Sequence, residues 1–298
     1  MKFGIQLPVQ AQSKLMAAQR EESSGPAGIA RVAQACDANG FDYVGVCDHI
    51  AVPRDLAPRM STVWYDTVAT LGWLAATTTR VRLLSHVYVL AYRHPLATAK
   101  AFSTLDRLSD GRVVLGVGSG HVEGEFDALG VSFTDRGALT DDALVRVRAA
   151  FRDEWSAGDV GQGPRPVQPD GPPIWVGGSS ARAVRRAAEH GDGWLPQGPP
   201  PAGMAAAIAA LHDHRERAGL SMAGFAIGGG LSLYVGNPKW DVPEWVATGS
   251  ADAIADRVRE LASLGVTHAQ IRPPSRSLDE LVDQLTRFAT DVVPLLDV

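Results

Sequence analysis

Eight short apolar segments alternate with segments of helical periodicity along most of the 298-residue chain. Continuous runs of Val, Ile and Leu predict strands that are buried on both faces, as in a parallel sheet joined by helical crossovers. Eight strands, each followed by a helix, over this length favour an α/β fold of the (β/α)8 barrel type. The predicted strands are Phe3–Leu7, Tyr43–Cys47, Val81–Val89, Val113–Val117, Ile174–Val176, Gly193–Leu195, Phe225–Val235 and Thr267–Ile271.

Several of the intervening segments carry the apolar spacing of an amphipathic helix. Ile29–Cys36 follows the i, i+3, i+4, i+7 pattern, and Asn39-Gly40 is a typical helix end. Leu278–Phe288 has similar spacing, with Ser277 as a candidate N-cap and Glu280 at the third helical position. Such helices are the crossovers that a parallel barrel requires.

An open, doubly wound sheet is the alternative to the barrel. Its dinucleotide-binding fingerprint is incomplete, because the segment Gly116-Val117-Gly118-Ser119-Gly120-His121 lacks the third glycine of the pattern. The chain has neither an internal repeat nor an interdomain linker, so we expect residues 1–298 to form one barrel domain. The alternation is interrupted by three predicted loop insertions, Asp55–Tyr65, Ser156–Pro173 and Gly236–Gly249.

Composition narrows the class of protein. The net charge of −5 argues against the basic excess that nucleic-acid binding needs. No apolar stretch approaches the ~20 residues of a membrane helix, and the apolar part of the N-terminal segment is too short for a signal peptide. Cys36 and Cys47 both stand in apolar patterns, which predicts buried thiols. We therefore expect a cytoplasmic protein that binds neither nucleic acid nor membrane.

Polar residues stand where the predicted strands end, which is where the active sites of (β/α)8 barrels lie. Asp48-His49 and His121 are candidates for acid–base chemistry, because an imidazole exchanges protons near neutral pH. Gly177-Gly178-Ser179-Ser180 opens a predicted helix and is a candidate anion site. Structural roles remain open for all three, as a cap, a surface histidine and a helix N-cap. The other strand ends carry Gln6, Ser85-His86, Ser119-Gly120, Gln197 and Arg272 to Arg276.

Motifs for metal catalysis and for hydrolysis are not evident. His212 and His214 are two residues apart in a helical segment, so they point to different faces. Ser119 has Val117 two positions before it instead of the glycine of a nucleophile elbow. The sequence therefore predicts no metal ligands.

Seven motifs, spread over nearly the whole chain, resemble those of one enzyme superfamily. They are Gly40 to His49, Tyr92-Arg93-His94-Pro95, Ala99-Lys100, Leu105 to Arg112, Leu115 to Gly120, Ile174 to Ser179 and Gly191 to Trp194. Together they are similar to the bacterial luciferase-like flavin monooxygenases. Within that superfamily, Ile271-Arg272-Pro273-Pro274-Ser275-Arg276-Ser277 most resembles the branch of coenzyme F420-dependent oxidoreductases.

The resemblance implies a barrel whose C-terminal mouth holds a deazaflavin ring, with the phosphate-bearing tail near the fifth strand. It implies that His49 lies near the reactive ring and that the Ser85-His86 bond is a non-proline cis peptide behind it. Arg276 would reach the anionic tail. The cofactor-binding residues expected on this basis are Asp48, Ser85, His86, Gly118, Gly120, Gly177, Gly178, Ser179, Ser180 and Arg276.

Two positions depart from the F420-dependent sugar-phosphate dehydrogenases of the superfamily. Those enzymes carry a glutamate at the place of His121, and a tryptophan shortly after the histidine that corresponds to His49. Here Ile50-Ala51-Val52-Pro53 follows that histidine. Both departures argue against a sugar phosphate substrate, and the proton donor stays open between the two histidines.

The expected function is hydride transfer between F420 and a C=C, C=N or C=O bond of a small organic substrate, in either direction. His49 or His121 would handle the proton. One alternative is a two-component FMN monooxygenase that uses reduced flavin and O2, and another is a non-catalytic barrel that binds a flavin or serves in an assembly. The family resemblance also implies a homodimer.

Overall fold

A computed structural model describes residues 1–7, 21–196 and 203–296 of the chain. The strands are β1 (Lys2–Gln6), β2 (Tyr43–Val46), β3 (Arg82–Ser85), β4 (Tyr88–Val89), β5 (Val113–Gly118), β6 (Ile174–Gly177), β7 (Gly193–Leu195), β8 (Ala226–Leu231), β9 (Leu233–Val235), β10 (Ala247–Gly249) and β11 (His268–Ile271). The helices are α1 (Glu21–Ala38), α2 (Ala57–Met60), α3 (Thr67–Thr77), α4 (Pro95–Leu108), α5 (Glu123–Leu129), α6 (Arg136–Arg152), α7 (Ala181–His190), α8 (Met204–Arg217), α9 (Ala251–Ser263) and α10 (Leu278–Arg287). None of the helices in these ranges is long and apolar enough to cross a membrane.

The parallel sheet closes on itself. Its order is β1, β2, β3, β5, β6, β7, β8, β11 and back to β1. The pairing of Leu83 with Val113 joins β3 to β5, and the pairing of Phe3 with Ala269 joins β1 to β11. This is the eight-stranded (β/α)8 barrel that the strand–helix alternation predicted.

Two predicted strands are each divided in the structure. The segment predicted as Phe225–Val235 becomes β8 in the barrel and β9, which pairs outside it with β10. The segment predicted as Val81–Val89 becomes β3 and β4, separated by a cis peptide bond between His86 and Val87.

The prediction of a cis bond at Ser85-His86 is therefore wrong by one residue. Ser85 still belongs to β3, because it pairs with Val46 and its hydroxyl donates to Gly116 O at 2.8 Å. The chain leaves the strand only after this residue, so the cis bond follows His86.

The predicted helical patterns correspond to buried faces. Ile29, Val32, Ala33 and Cys36 are all fully buried on α1, and Gly40 just beyond it has a φ of 73°. Ser277 caps α10 by accepting the amide of Glu280 at 3.1 Å. The Glu280 carboxylate is used elsewhere, since it accepts from the Arg276 amide and from the side chains of Tyr234 and Trp240.

A cluster of charged and aromatic side chains lies at the N-terminal end of the barrel. Arg82 is hydrogen-bonded to Asp42, and its guanidinium carbon lies 5.0 Å from the centre of the Trp175 ring. The His268 ring contacts the same indole at 4.8 Å. Burial lowers the pKa of His268 to about 4, because the opposing attraction of Asp42 is the smaller effect. His268 is therefore neutral in the folded protein at pH 7.

This burial makes the stability of the fold depend on pH. An unfolded histidine titrates near ~6.5, so between that pH and 4 the unfolded chain binds a proton that the folded chain does not. We expect His268 to remove about 1–2 kcal/mol of unfolding free energy between pH 7 and pH 5. Urea unfolding of the protein and of His268→Gln at both pH values measures this, and the variant should lose less stability on acidification. Equal losses in both proteins would contradict the prediction, and His212→Gln on the exposed face of α8 is the matched control.

Candidate active site

A cavity of about 790 Å³ opens at the C-terminal end of the barrel. Its volume falls in the range of clefts that bind cofactors and drug-sized ligands. Its wall is made by strand ends and by the insertion that follows β2, as the barrel geometry predicted. Among the predicted strand-end residues, those on the wall are Gln6, Asp48, His49, His86, Gly118, Ser119, Gly120, His121, Gly177, Gly178 and Arg272. Gln197 lies outside the described residues.

His49 is held on this wall by three neighbours. Its Nδ1 lies 3.1 Å from Glu125 Oε2. The Trp64 ring packs against the imidazole with 4.5 Å between ring centres, and the His121 ring stands nearly perpendicular to it at 5.9 Å. The imidazole therefore has a fixed position at the edge of the cavity.

Glu125 is a fully buried carboxylate in the first turn of α5. It accepts hydrogen bonds from His49, from the amides of Ile50 and Ala51, and from the Tyr92 hydroxyl at 3.0 Å. Burial alone would raise the pKa of Glu125, but the bonds from His49 and the two amides outweigh it and lower the pKa. The side chain is therefore ionised at neutral pH and favours a proton on Nδ1 of His49.

His121 lies at the outer side of the same group. Partial desolvation and the neighbouring His49 lower its pKa, so this imidazole is neutral at pH 7. Its ring contacts that of His49 and lines the cavity. The structure thus brings both predicted catalytic histidines together.

Asp48 is engaged in contacts within the protein. Arg93 donates to both carboxylate oxygens at 2.7 and 2.8 Å, and the Val89 amide donates at 2.8 Å. The Thr67 hydroxyl contacts it at 3.3 Å. These bonds link the segment after β4 to the end of β2. A contact between Asp48 and a cofactor stays a prediction.

Three glycines on the cavity wall make room for the protein's own side chains. A Cβ atom at Gly118 would lie 2.5 Å from Val87 Cγ2, and one at Gly177 would lie 2.8 Å from Val87 Cγ1. At Gly120, where φ is 75°, a Cβ would lie 2.8 Å from the Phe126 ring. Packing against Val87, which follows the cis peptide, therefore requires Gly118 and Gly177, and packing against Phe126 requires Gly120. Contact of these three glycines with a cofactor stays a prediction.

His86 and Ser85 precede the cis bond and differ in position. Ser85 is fully buried in the barrel wall, whereas His86 lines the cavity. Burial, with a contribution from the nearby Arg272 charge, lowers the pKa of His86 to about 4. This imidazole is therefore uncharged at neutral pH.

The predicted anion site is divided between the cavity and the surface. Gly177 and Gly178 line the cavity, while Ser179 and Ser180 are exposed and lie outside its lining. Ser180 caps α7 by accepting the Ala183 amide at 3.2 Å. The N terminus of α7 thus opens directly beside the cavity, where the helix dipole favours an anion.

Arg276 is exposed and does not line the cavity. Its guanidinium carbon lies 5.4 Å from the centre of the Trp240 ring, and its amide donates to Glu280. A contact with the tail of a cofactor stays a prediction for this residue.

Two important neighbours of His49 were not predicted from the sequence. Trp64 comes from the insertion after β2, and its ring packs against the imidazole of His49. Glu125 lies four residues beyond His121. Its only signal in the sequence is a carboxylate between two apolar residues, Val122 and Phe126, which are both buried in the structure.

Known proteins share both the sequence pattern and the fold. Residues 1–247 match the model of the luciferase-like monooxygenase family. The F420-dependent glucose-6-phosphate dehydrogenase of Kineococcus radiotolerans is 31% identical over 193 residues, which are 58% of this chain and 53% of that protein.

Among solved structures, monooxygenase RslO1 from Streptomyces bottropensis superimposes with a TM-score of 0.81 at 21% identity, over 99% of both chains. The coenzyme F420-dependent tetrahydromethanopterin reductase from Methanopyrus kandleri superimposes with a TM-score of 0.70 at 20% identity, again over 99% of both chains. At these identities the two structures show a common fold. The match over residues 1–247 shows the family, and the chain therefore belongs to the luciferase-like monooxygenases, whose members are enzymes.

Proposed function

We propose that this enzyme transfers a hydride between coenzyme F420 and a C=C, C=N or C=O bond of a small organic molecule. The observation that carries the proposal is His49 on the cavity wall, whose Nδ1 lies 3.1 Å from the buried carboxylate of Glu125 behind it. Hydride addition to a polar double bond needs a proton at the neighbouring atom. A protonated imidazole held by a carboxylate at Nδ1 supplies it from Nε2 and is left as the neutral ring, and the reverse reaction returns the proton to Nε2. The F420-dependent activities named for two of the similar proteins support the choice of cofactor.

The residues around the cavity fit a flavin-type cofactor. The cavity of about 790 Å³ has room for a tricyclic ring with a substrate beside it. Gly177, Gly178 and the N terminus of α7 would hold a phosphate, and Val87 with Gly118 borders the space for the ring. When bound, F420 supplies or accepts the hydride, while the protein orients the ring and excludes water.

His49 is the residue best placed to move the proton. Glu125 fixes Nδ1, and no described residue is hydrogen-bonded to Nε2, so that nitrogen is the one to meet a substrate. The ionised carboxylate holds the ring orientation and stabilises the protonated imidazole, as the aspartate does in hydrolase triads. The Trp64 ring packs against the imidazole of His49, and His121, whose ring also contacts it, is the second candidate.

Substitutions in this pair should slow turnover without loss of cofactor. His49→Ala should lower the rate at which 2-cyclohexen-1-one reoxidises reduced F420 by about 100-fold or more, since it removes the acid. Glu125→Gln keeps the shape but removes the charge that orients the imidazole, and it should lower the rate about 10- to 100-fold. The recovery of oxidised F420 absorbance measures both, with F420 affinity measured in parallel by fluorescence.

His121→Ala and His212→Gln separate the possible explanations. His212 is an exposed histidine on α8, so its substitution should leave the rate unchanged. A larger loss of rate in His121→Ala than in His49→Ala would assign the proton to His121 instead. An unchanged rate in both His49→Ala and His121→Ala would remove the acid–base assignment altogether.

A two-component FMN monooxygenase is the second candidate function. The structure of monooxygenase RslO1 superimposes over 99% of the chain, so the same barrel is compatible with a monooxygenase. A barrel without catalytic activity is less well supported, because a buried carboxylate that orients an imidazole at a cavity has no evident use in a scaffold.

Cofactor titrations decide between these functions. We expect the purified protein to bind F420 at least about 10-fold more tightly than FMN, a difference of about 1.4 kcal/mol. Fluorescence titration with each cofactor measures the two dissociation constants, and riboflavin, which lacks the phosphate, is the control for the α7 site. Tight FMN binding without F420 binding would favour the monooxygenase, and binding of neither would favour the scaffold. The homodimer also stays a prediction, for which sedimentation of the full chain is the test.

A further inference from the structure

Arg272 is a cationic side chain on the cavity wall, and no carboxylate of the described residues pairs with it. It directly follows β11 and is partly buried. Among the described residues, its guanidinium makes one side-chain hydrogen bond, from Nη2 to Gln270 Oε1 at 2.8 Å, and no ion pair. The charged or titratable groups that act on it are the Tyr43 hydroxyl and the Cys47 thiol, neither of which is a carboxylate.

Two glutamines position this guanidinium without neutralising it. Gln270 accepts from Arg272 and donates through Nε2 to Gln6 Oε1 at 3.2 Å. Gln6 in turn donates to the Cys47 sulfur. Each hydrogen bond in this series is donated in the direction away from Arg272. The bond to Gln270 fixes one arm of the guanidinium, and because both glutamines are neutral, the positive charge of Arg272 is not compensated by them.

The carboxylates near the cavity are already engaged. Asp48 is paired with Arg93, and Glu125 is satisfied by His49 and by backbone amides. His86, which faces the same space, is held uncharged partly by Arg272 itself. Arg59 from α2 adds a second positive charge at the wall. The described wall therefore carries unpaired positive charge.

A partly buried guanidinium without an anionic partner is unfavourable, and a ligand with a negative charge would remove this cost. Burial lowers the pKa of Arg272, which reflects the cost of removing the guanidinium from water. A buried ionic group is normally paired or hydrogen-bonded, and Arg272 has four N–H donors beyond the one that Gln270 accepts. The planar guanidinium matches two adjacent oxygens, or a nitrogen and an oxygen, in one plane.

We propose that Arg272 binds a planar anionic group of the molecule that occupies this cavity. Two sources have this chemistry: the N–C=O edge of a reduced cofactor ring, which carries negative charge, and a carboxylate on the organic substrate. The first source rests on the proposed function, whereas the second requires only that the cavity binds organic acids.

Three variants test the role of the charge. Arg272→Gln removes it, Arg272→Lys keeps it without the planar fork, and Gln270→Glu places a carboxylate of nearly the same shape beside it. Gln270→Glu tests the charge without removing the Arg272 side chain, so the proposal stays testable if Arg272→Gln fails to fold. Arg217→Gln, on the exposed face of α8, is the matched control, and thermal unfolding establishes that all four proteins fold.

Three probes distinguish the two sources: oxidised F420, reduced F420 and benzoate. If the ring edge is bound, Arg272→Gln and Gln270→Glu weaken reduced F420 about 10-fold or more, with less than about 3-fold change for oxidised F420. If a carboxylate is bound, F420 affinities stay constant, and benzoate binding, detected by NMR, is lost in the same two variants. In either case Arg272→Lys has an intermediate effect.

Equal binding of all three probes by the wild-type protein and by Arg272→Gln overturns the proposal. A wild-type protein that binds neither F420 nor FMN, but binds benzoate through Arg272, would instead overturn the proposed function and leave this assignment intact.

Discussion

Closure of the barrel between β3 and β5 depends on a backbone contact that only glycine permits. A Cβ atom at Gly116 would lie 2.0 Å from Ser85 O, at the point where the Ser85 hydroxyl also bonds to Gly116 O. Beyond this contact the chain passes through the cis peptide and turns Val87 against Gly118 and Gly177. The same constraint that closes the sheet therefore shapes one wall of the cavity, so side chains larger than glycine there would disturb both fold and site.

Two carboxylates at the C-terminal end of the barrel, Asp48 and Glu125, are both buried and hydrogen-bonded, but their hydrogen-bond partners differ. Asp48 is neutralised by Arg93 and bonded to the Val89 amide, which leaves it a structural link between β2 and the segment after β4. Glu125 has no arginine partner among the described residues and is stabilised by the amides of Ile50 and Ala51, by Tyr92 and by His49. Only the second arrangement leaves a titratable partner at the cavity, and this is the reason why we assign the proposed proton transfer to His49, the histidine beside Glu125.

The barrel and the residues at its C-terminal end could be predicted from the sequence, because strand–helix alternation is a local pattern and the C-terminal ends of all barrel strands lie at one face. Glu125 and Trp64 were missed, because an acidic residue on a short helix is usually solvated and an insertion has no periodicity to follow. The sequence named Arg272 to Arg276 as one strand end, and the family resemblance selected Arg276 from it for the cofactor tail. The structure places Arg272 on the cavity wall and Arg276 outside it. Gln270 and Arg272 are two residues apart at the end of a strand, so their side chains share a face, and that alternation carried the relevant signal.

The cavity also shows why net charge is a poor guide to the ligand of this protein. The chain carries a net charge of −5. Among the described residues, however, the acidic groups near the cavity are paired or hydrogen-bonded, whereas Arg272 has one side-chain hydrogen bond, to Gln270, and no ion pair. Interactions with exposed charges are screened within ~10 Å at 0.1 M salt, whereas a partly buried guanidinium beside neutral glutamines acts on a ligand at close range. Selection for an anionic group therefore depends on the few groups that face the bound molecule. Substitution of Gln270 by glutamate changes that local balance while it makes the overall charge only one unit more negative.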